Sequence, residues 1–288
     1  MAYTTILTAP RLADSITVER IQTPLNGATV LQPGDAAERA LELLSAGKFD
    51  QAPVVRDGLP IGFVLTQDLA QTTGTIDDHI REILPHSLTA GDLKLEEVLP
   101  WLESQRFLFV LAGRAISGFV VPSDINRQAG RAYFYLAITS LELQAAEAVR
   151  AMARSTDVLR LLSAAEADDI TRGLRARRRA DVEADEVAEM YLRHLLRIVG
   201  QDERIREASG LLTPDEWDQT CDAIKNVRNR VAHATKPLLE SPSGFGRLIE
   251  VSEAARRIND AILSVGRSKP PNSSFLEVPK AAQIVEAG

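Results

Sequence analysis

At 288 residues the chain has room for two domains of ordinary size, and its 45% hydrophobic and 25% charged content is that of a soluble globular protein. A net charge of −7 gives no bulk attraction to nucleic acid, so any RNA contact has to come from a local patch. The single Cys221 excludes an intrachain disulfide framework, and four scattered His without paired spacing argue against a dedicated metal site. The opening MAYTTILTAPRLADS lacks a basic segment followed by a long apolar core, and the most apolar window, Phe107–Ala112, is too short to span a bilayer. The expected location is the cytoplasm, with no membrane partner.

Residues 1–20 show no clear periodicity. From Ala28 the pattern sharpens into TVLQPGD, AAERALELLSAGKF, QAPVVRDGLPIGFVL and TQDLAQ. This reads as strand, amphipathic helix, a strand pair about an Asp57-Gly58 turn, and a short helix. Ala37, Ala40, Leu41 and Leu44 recur at helical spacing, and Val54-Val55 and Ile61–Leu65 are short β-branched runs. The same order then returns: HSLTAGD, LKLEEVLPWLESQ and RFLFVLAGRAISGFVVPSDI. Gly62-Phe63-Val64 with Asp68 corresponds to Gly118-Phe119-Val120 with Asp124, an internal repeat that predicts one pseudo-twofold body of two β-α-β-β-α units.

Over roughly residues 20–130 this pattern resembles the cystathionine-β-synthase (CBS) domain pair, or Bateman module. The resemblance rests on PGD before the helix, FDQAPVV before the turn and GFVLTQDL after it, with a looser second copy. It implies an adenine nucleotide (AMP, ATP or S-adenosylmethionine) held in clefts between the repeats as a regulatory ligand, with no cofactor required. In the family pattern Gly-h-h-Ser/Thr-x-x-Asp, the Asp contacts ribose hydroxyls and the Ser/Thr contacts phosphate. Here the Asp is kept as Asp68 and Asp124, but the hydroxyl position holds Leu65 and Val121. Thr66 stands beside Leu65, and Ser123 precedes Asp124. The implied ligand residues are therefore Asp68, Asp124 and Thr66. For the two Asp the residues also allow a plain role as N-caps of the short helices that follow.

After Asp124 the character changes. Arg131–Ala153 is a long run without Gly or Pro, and Tyr135, Ile138, Leu141 and Val149 are among its apolar positions. It follows the repeats without a Gly/Ser-rich linker, which predicts a stiff junction near residue 130. Further helical runs are DVLRLLSAA, ADDITRGLRARRRA and ADEVAEMYLRHLLRIVG, the last with His194 beside its apolar stripe. Arg172, Arg175, Arg177, Arg178 and Arg179 make the one basic cluster, and the acidic residues that follow allow pairing on a solvated helix as well as an RNA phosphate track. A last amphipathic helix, GRLIEVSEAARRINDAILSVG, precedes a tail from residue 268, in which Phe275–Val278 is the segment able to dock.

The run TPDEWDQTCDAIKNVRNRVAHA carries the candidate chemistry. Thr213 is the expected N-cap, Pro214 takes the first helical position, and Pro237 lies beyond the end. Asn229 and His233 are four apart, so a helix sets them on one face with Arg228 at the flank. An imidazole titrates near neutral pH and a guanidinium holds phosphate oxygens in a fork, which together suit a phosphodiester. Cations in the last turns are equally what a helix dipole favours. Arg228-Asn229-x3-His233 resembles the signature of the HEPN superfamily of helical domains. That resemblance implies a metal-independent ribonuclease working as a homodimer on RNA, with His233 as acid/base, Arg228 holding phosphate and Asn229 orienting.

The expected fold is thus α+β, a CBS pair of β-α-β-β-α repeats, followed by an all-α helical bundle. The expected segments are 1–20 (N-terminal), 21–74 and 75–130 (repeats), 131–267 (HEPN-like bundle) and 268–288 (tail). Two functions stay open: a nucleotide-gated ribonuclease, and a non-catalytic adenine-nucleotide-responsive regulatory protein. A metabolic enzyme is unsupported, since no Gly-rich phosphate loop, nucleophile elbow or spaced carboxylate pair is present.

Overall fold

The structure, a computed structural model, describes residues 12–267, so the tail from residue 268, with Phe275–Val278, lies outside the described residues. The chain begins with short 3-10 turns and the two-residue strand β1 (Thr23–Pro24). Helix α1 (Ala37–Gly47) leads into the hairpin of β2 (Gln51–Arg56) and β3 (Leu59–Leu65), closed by the one-turn helix α2 (Thr66–Leu69). Strand β4 (Arg81–Glu82) opens the second half. It is followed by β5 (Leu88–Ala90), α3 (Leu95–Gln105), the hairpin of β6 (Leu108–Ala112) and β7 (Ala115–Val120), and a 3-10 turn at Pro122–Asn126. Both repeat helices stop on a residue with left-handed backbone, Lys48 (φ 53°) and Arg106 (φ 63°).

The repeat extends to register. Val54 faces Gly62 and Val110 faces Gly118, and each hairpin shifts register directly after that valine. In the second copy β5 lies parallel to β6; in the first, the strand expected at TVLQPGD shrinks to a single parallel bridge of Leu31 to Val54. The edge strands are exchanged. β1 opens the first repeat but pairs with β7 of the second, while β4 opens the second repeat but pairs with β3 of the first.

The two glycines of the repeat explain this exchange. A Cβ at Gly62 would collide with the Arg81 carbonyl oxygen and the Ile80 side chain, and one at Gly118 with the Thr23 carbonyl oxygen. Only a residue without a side chain lets the exchanged strand come this close. The sheets also meet through aromatic rings. Phe107 lies between the repeat-related Phe63 and Phe119, with centroids 5.3 and 5.0 Å away.

Burial divides the molecule unequally. Leu31, Ala37, Leu44, Val54, Val64 and Leu69 form a small core of the first repeat. Leu95, Val98, Leu102, Val120 and Ile125 of the second repeat instead share one continuous core with the helices that follow. The described residues before the first repeat reach that core too, through Ala13 and Val18. Val18 and Ile21 are fully buried in that core, and the amides of Val18 and Glu19 donate to the carbonyls of Leu93 and Gly91.

The helical half consists of α4 (Gln128–Ala153), α5 (Ala164–Arg179), α6 (Leu192–Val199), α7 (Glu203–Ser209), α8 (Pro214–Ala232) and α9 (Phe245–Arg267). α4 starts three residues before the expected Arg131. Two expected runs are broken: DVLRLLSAA contains a 3-10 turn at Val158–Leu161 before α5, and ADEVAEMYLRHLLRIVG splits into a 3-10 turn at Glu186–Glu189 and α6. In each case an Asp side chain, Asp157 or Asp185, accepts a backbone N–H and caps the turn. α4 packs against α6, α8 and α9, whose Leu196, Ile198, Ile224 and Ile258 fill the core.

Candidate functional site

In the first repeat, Asp68 sits on α2 against the exchanged strand. Arg81 of β4 donates to its Oδ2 through Nε (3.0 Å) and Nη2 (2.8 Å). In the second repeat, Asp124 lies in the 3-10 turn after β7 and is 5% exposed. Its Oδ1 accepts from the Thr23 hydroxyl of β1 (3.3 Å) and from Arg127 Nε (2.9 Å), and its Oδ2 accepts from the Val121 amide (2.8 Å). Thr23 stands opposite Phe119 as Arg81 stands opposite Phe63. The two carboxylates therefore occupy matching places, each braced by the exchanged strand. Burial holds the Asp124 carboxyl above the ordinary carboxylate range, against the Val121 amide, Arg127 and Thr23, which all pull it down.

Thr66 points elsewhere. Its hydroxyl donates to the Phe49 carbonyl (2.6 Å) and its amide to that of Asp50 (2.8 Å), so it fastens α2 to the chain entering β2. Neither Asp is the N-cap that its residue type allowed: Asp68 lies inside α2, whose N-cap is Leu65, and Asp124 is the third residue of its 3-10 turn, bonding back to the amide of the N-cap residue Val121.

The second candidate cluster stands at the end of α8. The helix opens as expected: the Thr213 hydroxyl accepts from the Glu216 amide (3.2 Å), and the Glu216 carboxylate accepts from the Thr213 amide (3.0 Å). It closes earlier than expected, at Ala232, and His233 is the C-cap with extended backbone (φ −96°, ψ 93°). His233 thus lies just past the helix and not within it. Arg228, Asn229 and His233 are all exposed, and among the described residues no hydrogen bond or ion pair joins their side chains.

What holds this end together is a residue the sequence did not single out. Arg131, in the first turn of α4, donates from Nη2 to the carbonyls of Arg230 (3.0 Å), Val231 (2.9 Å) and His233 (2.8 Å), and from Nη1 to that of Lys236 (2.8 Å). Arg230 and Val231 lie in the last turn of α8 and His233 is its C-cap; the Arg230 and His233 carbonyls also accept the His233 and Lys236 amides, so Arg131 reinforces a turn that the backbone partly closes, and a cation there also meets the negative pole of the dipole. Asn126 adds a second tie: its amide group donates to the Leu239 carbonyl (3.0 Å) and accepts from the Leu239 amide (2.8 Å).

The two clusters are thus joined through one short stretch. Asp124 binds Arg127, the Arg131 amide donates to the Arg127 carbonyl (2.9 Å) in the first turn of α4, and Arg131 caps α8 beside His233. No sequence pattern announces this, because the capping pair lies about a hundred residues apart. Several other titratable groups are tied within the fold. His194 is buried, with Nδ1 accepting from the Tyr191 amide (3.2 Å) and Nε2 3.8 Å from Glu166. In the basic cluster, Arg177 pairs with Glu189 and Arg172 with Asp169. Burial, with Asp218 and Asp222 nearby, pushes the Cys221 thiol up to about 12, which favours the protonated thiol over the thiolate. Among the described residues no group of three or more His, Cys, Asp or Glu is placed to hold a metal ion, and no helix is long and apolar enough to cross a membrane.

No protein-family model matches the chain, and no curated protein matches it. Among solved structures it is similar to a hemolysin-like protein containing a CBS domain from Oenococcus oeni PSU, at 15% identity and TM-score 0.34 over 39% of this chain and 89% of that one. It is also similar to the CBS-pair protein CBSX2 of Arabidopsis thaliana solved in complex with AMP, at 22% identity and TM-score 0.35 over 40% of this chain and 97% of that one. A third is the CBS domains of a transcriptional regulator from Streptococcus pneumoniae, at 21% identity and TM-score 0.33 over 38% of this chain and 94% of that one.

Proposed function

We propose that residues 21–130 form a CBS-type sensor of an adenine nucleotide, and that this sensor governs the end of α8, where Arg228, Asn229 and His233 form a metal-independent RNA-cleaving site in a homodimer. The observation that carries the reading is the link from Asp124 through Arg127 and Arg131 to the α8 carboxyl end. A ribose whose hydroxyls donate to Asp124 competes with Arg127 for the same carboxylate. Moving Arg127 moves the first turn of α4, and Arg131 with it. The ligand thus reaches the motif by changing which groups satisfy one buried carboxylate and four carbonyls.

At the output, cleavage needs a base to take the 2′-hydroxyl proton as that oxygen attacks phosphorus, and an acid to protonate the departing 5′-oxygen. A second copy supplies the second imidazole, so one His233 per chain suffices, and Arg228 neutralises the crowded phosphate. Products carry 2′,3′-cyclic phosphate and 5′-hydroxyl ends. Each such acid–base group contributes roughly 10²–10⁴-fold. The exposure of Arg228, Asn229 and His233 supports access by RNA and by a second copy.

A non-catalytic regulator is the second reading. It is favoured by one specific observation: the contacts at His233 hold its backbone, while among the described residues its ring has no hydrogen-bond or ion-pair partner to orient it. The test is incubation of the purified chain with total tRNA and a generic single-stranded RNA in EDTA, with and without AMP, ATP or S-adenosylmethionine. Cleavage that disappears in His233→Ala, and whose nucleotide response disappears in Asp124→Asn, is the expected outcome. RNA left intact in every condition, with AMP still bound, would leave the regulator reading alone.

A further inference from the structure

Between α8, α9 and the connection joining them is a cavity of about 340 Å³, within the size range of small-molecule pockets. Its floor is aliphatic: Val227, Leu238, Leu248 and Val251 are all buried. Its rim carries Asn226 and Arg230 from α8 and Arg247 from α9. Arg230 has Glu240 for company at 3.4 Å, whereas among the described residues Arg247 forms no ion pair. The rim therefore has a positive excess, in a chain whose net charge is −7. The exposed Arg228 and Asn229 do not line the cavity.

An apolar floor beneath two guanidinium groups selects a ligand with an apolar body and an anionic head. Arginine forks match phosphate oxygens in geometry as well as charge. We infer that this cavity is a second ligand site, which takes a phosphate monoester of about mononucleotide size, with its body on Leu238, Leu248 and Val251 and its phosphate between Arg230 and Arg247. The inference goes beyond the sensor and cleavage reading and does not require it. The site also touches the rest of the molecule, since Leu239, another lining residue, is the one clasped by Asn126.

The experiment is a fluorescence titration of the full chain with 1-naphthyl phosphate in EDTA, beside 1-naphthol and inorganic phosphate. Saturable binding of 1-naphthyl phosphate, tighter than either half alone, is expected. Loss of one charged hydrogen-bonding group should weaken it by about tenfold or more in Arg247→Gln and in Arg230→Gln, with far-UV spectra unchanged. Arg160→Gln, an exposed arginine that does not line the cavity, should leave it unaltered, which separates this site from general attraction to surface cations. Equal binding of 1-naphthol, equal binding of inorganic phosphate, unchanged affinity in both arginine variants, or no saturable binding would each overturn the assignment.

Discussion

Replacing Arg131 by Ala removes the cap of α8 without touching the motif. Its two terminal nitrogens serve four carbonyls, but Nη2 is shared among three of them, so the bonds do not add independently. Counting two to three effective bonds at ~1 kcal/mol each gives about 2–3 kcal/mol. Water reaches this exposed end and recovers part of that, while loss of the cation at the dipole's negative pole adds roughly 0.5 kcal/mol. The net expectation is a loss of about 2 kcal/mol. Urea denaturation followed by far-UV circular dichroism measures the global part. Amide hydrogen exchange at Arg230–His233 measures local fraying, which takes up the loss if the last turn opens alone. Arg131→Lys should recover only a fraction, because an ammonium cannot span carbonyls from Arg230 to Lys236. A stability within 0.5 kcal/mol of wild type, with unchanged exchange in the last turn, would refute the assignment of Arg131 as the cap.

Three further variants probe the repeats and the buried histidine. Gly118→Ala forces β1 away from β7 and should cost about 1–3 kcal/mol in urea denaturation, as Gly62→Ala should for β4 and β3; both variants within 0.5 kcal/mol of wild type would remove the close-approach explanation. Burial lowers the pKa of His194, helped by Arg193 and Arg197 and opposed by Glu166 and Asp169. The unfolded chain then binds a proton that the folded one refuses, so stability is full above the unfolded value and falls as pH drops below about 6.5, by at most ~1.4 kcal/mol per unit. His194→Gln should flatten that part of the profile between pH 7.5 and 5.5, and parallel profiles for the two proteins would show that the imidazole is not responsible.

The repeat was legible because both copies keep Gly and Asp at one spacing within β-branched runs. Its consequence was not. Gly62 and Gly118 read as parts of a ligand pattern, whereas their position in the fold is set by the strand lying against them. That strand is two residues long in each case, too short to carry any periodic signal. Residues 12–21 looked patternless because they form short 3-10 turns, yet they bury Val18 and Ile21 completely. The long helix and the last helix were plain from their apolar spacing, and α7 went unseen because seven residues hold barely two turns of it. At the candidate motif, the Thr213 capping box was readable locally. The early stop at Ala232 was not, since the group that reinforces the last turn comes from Arg131, far away in sequence.

The exchanged edge strands also decide where this protein can be cut. A fragment ending at residue 74 keeps β2 and β3 but loses β4, so one edge of that hairpin is left open and Arg81 no longer meets Asp68. A fragment beginning at residue 75 keeps β7 but loses β1, and with it Thr23 at Asp124 and the buried Val18 and Ile21. Each half is thus an incomplete sheet with a bare template for pairing, which invites association with another chain. Although the repeats are separable as text, they are interlocked as matter, and neither is a folding unit. Expression of either half alone should yield aggregated or strand-paired oligomers, and mixing the two halves should restore the missing edges in trans.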